Sequence, residues 1–177
     1  LAHSRLAIQD LSPAAHQPML DDSGAYVLAF NGEIYNHWQI RQSLPGRYPF
    51  DSPSDTQTLL YALIAYGPDI LQELNGIFAL AFYHRPSQYL LLARDPFGVK
   101  PLYTYHSNRD FLFASEIKAF LDWPELDQSL DCRALAAYIA YLYAPDERTP
   151  FQRIRKFPEG HYQEIRNGQP EAAQRYY

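Results

Sequence analysis

Short apolar runs separated by turn residues dominate the chain, and their spacing predicts more strands than helices. Tyr26 to Phe30 (YVLAF) reads as a strand. The Asn31-Gly32 pair after it reads as a hairpin turn folding Glu33 to Tyr35 back alongside, because both central residues of a type I′ turn need positive φ. NHWQIRQSL, from Asn36, predicts a short helix, and Pro45, Gly46, Pro49 and Pro53 mark an irregular connection behind it. Ser54-Asp55-Thr56-Gln57 has the form of a capping box, with Ser54 accepting from a backbone N–H and Gln57 reaching back. Leu59, Leu60, Leu63 and Ile64 then form one stripe at helical spacing; Gly67-Pro68 ends it and starts a second short helix to Leu74.

GIFALAFYHRPSQYLLLARD, from Gly76, contains two continuously apolar runs around His84 to Gln88, as expected of central strands covered on both faces. LYTYHSNRDFLFAS repeats the pattern around Ser107 to Asp110, and SEIKAFL turns helical. A third helix is predicted from Cys132 to Leu142, and a last small hairpin at Asn167-Gly168. Hairpins dominate, so the class is α+β with largely antiparallel sheets and helices outside.

Composition narrows the function. With 177 residues and 47% hydrophobic positions, one domain with a substantial core is expected. Twelve arginines and three lysines against 20 acids give a net charge of −5, which offers no basic face to nucleic acid or an anionic membrane. The single cysteine, Cys132, excludes an internal disulfide, and no apolar run approaches a membrane span, so the cytoplasm is the default location. The chain opens Leu1-Ala2-His3 and its only methionine is Met19, so translation is expected to start upstream.

Six histidines stand singly, so no metal site is expected. DPFGVKP has one glycine where a phosphate cradle needs several, so no nucleotide site is expected either. Cys132 lies at a helix start without an evident histidine partner and reads as structural. The remaining polar groups suit an amino acid. Arg5 can clamp an α-carboxylate through two parallel hydrogen bonds, and Glu33 and Asp55 can hold an α-ammonium. Asn31 and Gly32 can offer an amide side chain and a backbone N–H to an oxyanion. Each also has a structural reading: Arg5 paired with Asp10, Asp55 at the positive end of its helix, Asn31-Gly32 as a turn only.

HSRLAIQDLSPAAHQPM, FNGEIYN, SDTQTLL, LNGIFALAF, ARDPFGVKPLYT and FASEIKAF occur in this order. Together they resemble the glutaminase domain of glutamine-hydrolysing asparagine synthetases, a class II glutamine amidotransferase, from about Leu1 to Tyr162, with IRKFPEGHY resembling its closing segment. The resemblance implies the four-layer αββα sandwich of N-terminal-nucleophile hydrolases. It also implies that Asn31 and Gly32 form the oxyanion hole, the turn thus serving twice. Arg5 would hold the α-carboxylate of glutamine, Glu33 and Asp55 its α-ammonium, and the backbone of Ile8 and Gln9 would line the pocket.

The family's nucleophile is a cysteine at residue 1 of the mature chain, with its own α-amine as general base, and it is not in this sequence. A first strand, a helix and a loop are therefore expected upstream of Leu1, and the synthetase half, with its ATP and magnesium site, downstream of Tyr177. The covalently attached synthetase domain is the implied partner, a homodimer the implied option for assembly, and this domain itself takes no cofactor. Two other functions share the fold: amination of a different acceptor, and a non-catalytic remnant. Isolated, this chain is expected to be inactive.

Overall fold

The computed structural model describes residues 1–4, 15–46 and 48–177. Two antiparallel sheets form its centre. The larger contains β1 (Met19–Leu20), β2 (Tyr26–Ile34), β3 (Gly76–His84), β4 (Tyr89–Arg94), β8 (His161–Arg166) and β10 (Gln174–Arg175) side by side, with β9 (Gln169–Pro170) also on β8. The smaller has β5 (Tyr103–His106) between β6 (Phe111–Ala114) and β7 (Ile154–Lys156). The helices are α1 (His37–Ser43), α2 (Asp55–Tyr66) and α3 (Cys132–Tyr141), with 3₁₀ helices at Gly67–Glu73 and Ile117–Phe120.

The strand period of two sorts the core into layers. Leu28, Phe30 and Ile34 of β2 and Phe78, Leu80 and Phe82 of β3 pack with Leu59, Leu60 and Leu63 of α2. Each fully buried leucine there contributes roughly 1.5–3 kcal/mol. The opposite face, with Ala29, Ala79, Ala81 and Leu92, meets Phe111 and Phe113 of β6. Beyond the small sheet, Tyr105 and Ile154 pack under Phe120 of the second 3₁₀ helix. The order is therefore helix, sheet, sheet, helix, the αββα sandwich expected, with its last layer in the described residues made by that 3₁₀ turn.

One expected turn does not exist. Asn31 and Gly32 lie inside β2, which runs unbroken from Tyr26 to Ile34 and pairs with β3 at every residue, Asn31 opposite Ala79 and Gly32 opposite Phe78. The glycine answers to close approach instead. A Cβ on Gly32 would stand 2.7 Å from Phe78 Cα and collide with the Ile77 carbonyl oxygen. One at Gly76 would collide with the Glu33 carbonyl. By contrast Asn167-Gly168 is a true two-residue turn, with φ of 51° and 76° and Arg166 paired to Gln169.

The capping box at α2 forms by half. Ser54 Oγ accepts from Gln57 N at 3.3 Å, but the Gln57 carboxamide reaches past the cap to the backbone N–H groups of Ser52 (2.9 Å) and Asp51 (3.2 Å). It ties the proline-rich connection down onto the helix.

The DPFGVKP loop is organised by its aspartate. Asp95 is fully buried and accepts from the backbone of Phe97, Val99 and Lys100, each at 3.0 Å, and of Phe78 at 3.3 Å. Arg94 donates to the carbonyls of Lys100, Phe157 and Gly98. Four donors on one carboxylate and three acceptors on one guanidinium lock the loop against the residue that faces Gly32. Among the described residues no helix is long and apolar enough to cross a membrane, and no group of three His, Cys, Asp or Glu can hold a metal ion.

Candidate active site

The site is built on the outer half of β2. Along an antiparallel strand the backbone polar groups alternate sides. Tyr35 N–H donates to the Asn75 carbonyl at 2.8 Å, so odd-numbered residues turn theirs toward β3. Even-numbered residues turn theirs to the other edge, where Phe30 and Ile34 both find side chains. Phe30 N–H donates to Gln17 Oε1 at 2.7 Å, and its carbonyl accepts from Gln17 Nε2 at 2.9 Å. Ile34 N–H donates to Asp55 Oδ2 at 2.9 Å. Gly32 lies between them, so its N–H points to this same edge, between a carboxamide and a carboxylate.

Asn31, next to it, turns its side chain to the face shared with Ala29. There a cleft of about 680 Å³ opens between the sheets, lined by Asn31, His3, Ala29, Ala79, Ala81 and Phe113 among others. The three alanines create the space; larger side chains would fill the gap beneath Phe113. A side-chain amide and an edge N–H on consecutive residues can converge on one oxygen, which is the arrangement an oxyanion hole needs.

Asp55 joins the site from 21 residues away in sequence. As the first residue of α2 it is buried, and that burial raises its carboxyl above the ordinary value of 3.8. Hydrogen bonds from the backbone of Ile34 and Thr56 and the charge of His37 oppose the rise, and the charge of Glu33 adds to it. Two acids that feel each other's charge beside a strand edge form a natural place for an ammonium ion.

Arg41 braces the chain on either side of Asp55. Its guanidinium donates to Thr58 Oγ1 at 2.9 Å and to the carbonyls of Ser52 and Ser54, each at 3.1 Å, while lying 3.9 Å over the Phe50 ring. Burial lowers its own pKa and that of His37, one turn earlier, although Asp55 and Glu33 pull His37 the other way. The structure thus brings together Asn31, Gly32, Glu33 and Asp55. Arg5, Ile8 and Gln9 lie outside the described residues, and so does the alternative pairing of Arg5 with Asp10.

Sequence reading missed Gln17 and Arg41. Neither carries a local signal: each acts on backbone more than ten residues away, and only the register of β2 and the approach of α2 bring them in. Cys132 is exposed at the start of α3 and lines a separate cleft with Leu130, Arg133 and Arg155, none of which borders the Asn31 cleft.

Several known proteins share this arrangement of chain. A putative asparagine synthetase [glutamine-hydrolyzing] of Mycobacterium tuberculosis is 35% identical over 94% of this chain and 27% of its own length. Asparagine synthetase B of Escherichia coli is 37% identical over 82% of this chain and 25% of its own. The chain spans about a quarter of the length of these curated relatives. The solved glutamine phosphoribosylpyrophosphate amidotransferase of Bacillus subtilis superposes with a TM-score of 0.64 at 20% identity, over 99% of this chain and 34% of that one. That likeness shows the fold, that of N-terminal-nucleophile hydrolases. The sequence model of the glutamine amidotransferase domain matches residues 1–177, the whole chain, so the chain belongs to the glutamine amidotransferase domain family.

Proposed function

We propose that this chain is the glutaminase domain of an asparagine synthetase: it releases ammonia from glutamine, and an ATP-dependent synthetase domain of the same protein uses that ammonia to convert aspartate to asparagine. The observation that carries the reading is the Gly32 N–H turned to the edge away from β3, beside the Asn31 amide and flanked by Glu33 and Asp55. The curated relatives, glutamine-hydrolysing asparagine synthetases more than three times as long, support the choice of acceptor.

In this reading Glu33 and Asp55 bind the α-ammonium of glutamine and Arg5 its α-carboxylate, with the backbone of Ile8 and Gln9 along the chain of the substrate. The side-chain carbonyl then reaches the Asn31 amide and Gly32 N–H. The nucleophile is an N-terminal cysteine of the intact protein, whose α-amine accepts the thiol proton and passes it to the departing ammonia. Attack on the amide carbon makes a tetrahedral oxyanion, and the two donors stabilise that charge more than they stabilise the ground-state carbonyl. Ammonia leaves, and water releases glutamate from the thioester. No metal or cofactor enters these steps; ATP and magnesium belong to the synthetase domain.

In this reading the synthetase domain packs on the exposed apolar side of α3, where Ile139 and Leu142 are each 81% accessible. The test is asparagine formation by the intact protein from aspartate and ATP, with glutamine or with ammonium as nitrogen source. Synthesis from both, with the glutamine route alone blocked by 6-diazo-5-oxo-norleucine, is expected. Ammonia release without asparagine formation would assign another acceptor. No glutamine hydrolysis, with ammonium-driven synthesis intact, would make the domain a remnant.

A further inference from the structure

The ladder between β1 and β2 stops in an informative place. Met19 pairs with Leu28 and Leu20 with Val27, so the same register sets residue 17 opposite Phe30 and residue 15 opposite Gly32. Backbone pairing ends at Met19, and residue 18 is a proline. Gln17 then meets its register partner with its side chain. The carboxamide supplies the acceptor for Phe30 N–H and the donor for Phe30 C=O, the two bonds that a backbone residue would make.

The substitution has a geometric consequence. A backbone strand continuing past residue 17 would lay its next rung along Gly32 and consume its N–H. A carboxamide closes one rung and goes no further. Phe30 is fixed at the position before Asn31, and among the described residues no strand pairs with Gly32 on this edge before Asp55 takes Ile34.

We propose that Gln17 is a positioning residue for the oxyanion hole: by replacing one backbone rung with its carboxamide it anchors β2 at Phe30 and ends edge pairing one rung before Gly32, so that the Gly32 N–H stays available to the reacting oxygen. This rests on the oxyanion role of Asn31 and Gly32 proposed above. Gln17 touches neither substrate nor the reacting atoms in this role; it acts through the backbone of Phe30.

The experiment compares Gln17→Met and Gln17→Glu in the intact protein. Methionine keeps the length and loses both hydrogen bonds. Glutamate keeps an acceptor for Phe30 N–H, which protects folding, but loses the donor to Phe30 C=O and sets a negative charge near the oxyanion. Both variants should lose about tenfold or more in glutaminase kcat, with glutamine KM within about twofold. Affinity for glutamate γ-semialdehyde, whose thiol adduct carries the oxyanion, should fall in parallel, while affinity for product glutamate holds. Ammonium-driven synthesis should be unchanged.

Equal losses in glutamate and semialdehyde binding, or unchanged glutaminase kcat in Gln17→Glu with normal synthesis, would overturn the proposal. Asn31→Ala, measured alongside, separates the two ideas. If it leaves kcat intact, the oxyanion reading itself is wrong; if it alone removes activity, only the role of Gln17 falls.

Discussion

Replacing Gly32 by alanine tests the reason given for the glycine. The added methyl would stand 2.7 Å from Phe78 Cα and 2.9 Å from Phe78 Cβ, and would collide with the Ile77 carbonyl oxygen. An ordinary contact there begins at about 3.4 Å, so β2 and β3 must separate by about 0.7 Å or more. Two of the three clashes are with backbone, which cannot swing aside as a side chain can. Overpacking of this kind costs about 1–3 kcal/mol, and backbone clashes place it at the upper end. At about 2–4 °C per kcal/mol, the unfolding transition of the domain in the intact protein should fall by about 6–12 °C.

The same displacement moves both oxyanion donors. A misplacement of about 1 Å is worth about 10²-fold in rate, so glutaminase kcat should fall by that order while ammonium-driven synthesis persists. Calorimetry and steady-state kinetics on the purified protein read the two effects separately. A Gly32→Ala protein that melts within about 1 °C of wild type with kcat intact would show that the strands have room. The close-approach argument would then be wrong.

Asn31→Ala removes one oxyanion donor and should lower glutaminase kcat by about 10²–10³ with little change in KM; an unfolded domain with full activity per folded molecule would refute this. Asp55→Asn keeps an acceptor for Ile34 N–H but loses the charge, so glutamine KM should rise strongly. Because the Asp55 carboxyl is raised in the folded state, its contribution to stability is fully present below about pH 3.8 and is lost as pH rises through the raised value. The Asp55→Asn protein should therefore melt at the same or a higher temperature than wild type at pH 7, and a clear loss in thermal scans would show that the charge supports the fold. Asp95→Ala strands four backbone donors and should cost about 4–5 kcal/mol, read by denaturant titration; a loss below about 1 kcal/mol would mean that water replaces the carboxylate.

Three Asn-Gly pairs divide what the sequence determines from what it does not. At Asn167-Gly168 the flanking runs are short and no ladder runs through the pair, so the local preference for positive φ decides and the turn forms as read. At Asn31-Gly32 the same dipeptide is held extended by the β3 ladder, continuous from Tyr26 to Ile34, and tertiary pairing outweighs the turn signal. Asn75-Gly76 opens β3, and its glycine answers to the Glu33 carbonyl across the ladder. A pair of letters cannot reveal which strand will lie beside it.

Patterns of local origin were legible: the stripe on α2, the Ser54 cap, the paired apolar runs of β3 and β4, and the α+β class all follow from side-chain periodicity and turn chemistry. The ordered motifs identified the family. What only the tertiary structure decided is how backbone groups are shared between distant segments. Asp55 receives the Ile34 N–H across 21 residues, Gln17 closes Phe30 across 13, and Asp95 gathers the loop after β4 onto Phe78. Each partner is a single polar residue with no periodicity, and its meaning is set by strand register, which the chain acquires only when its apolar faces are buried together.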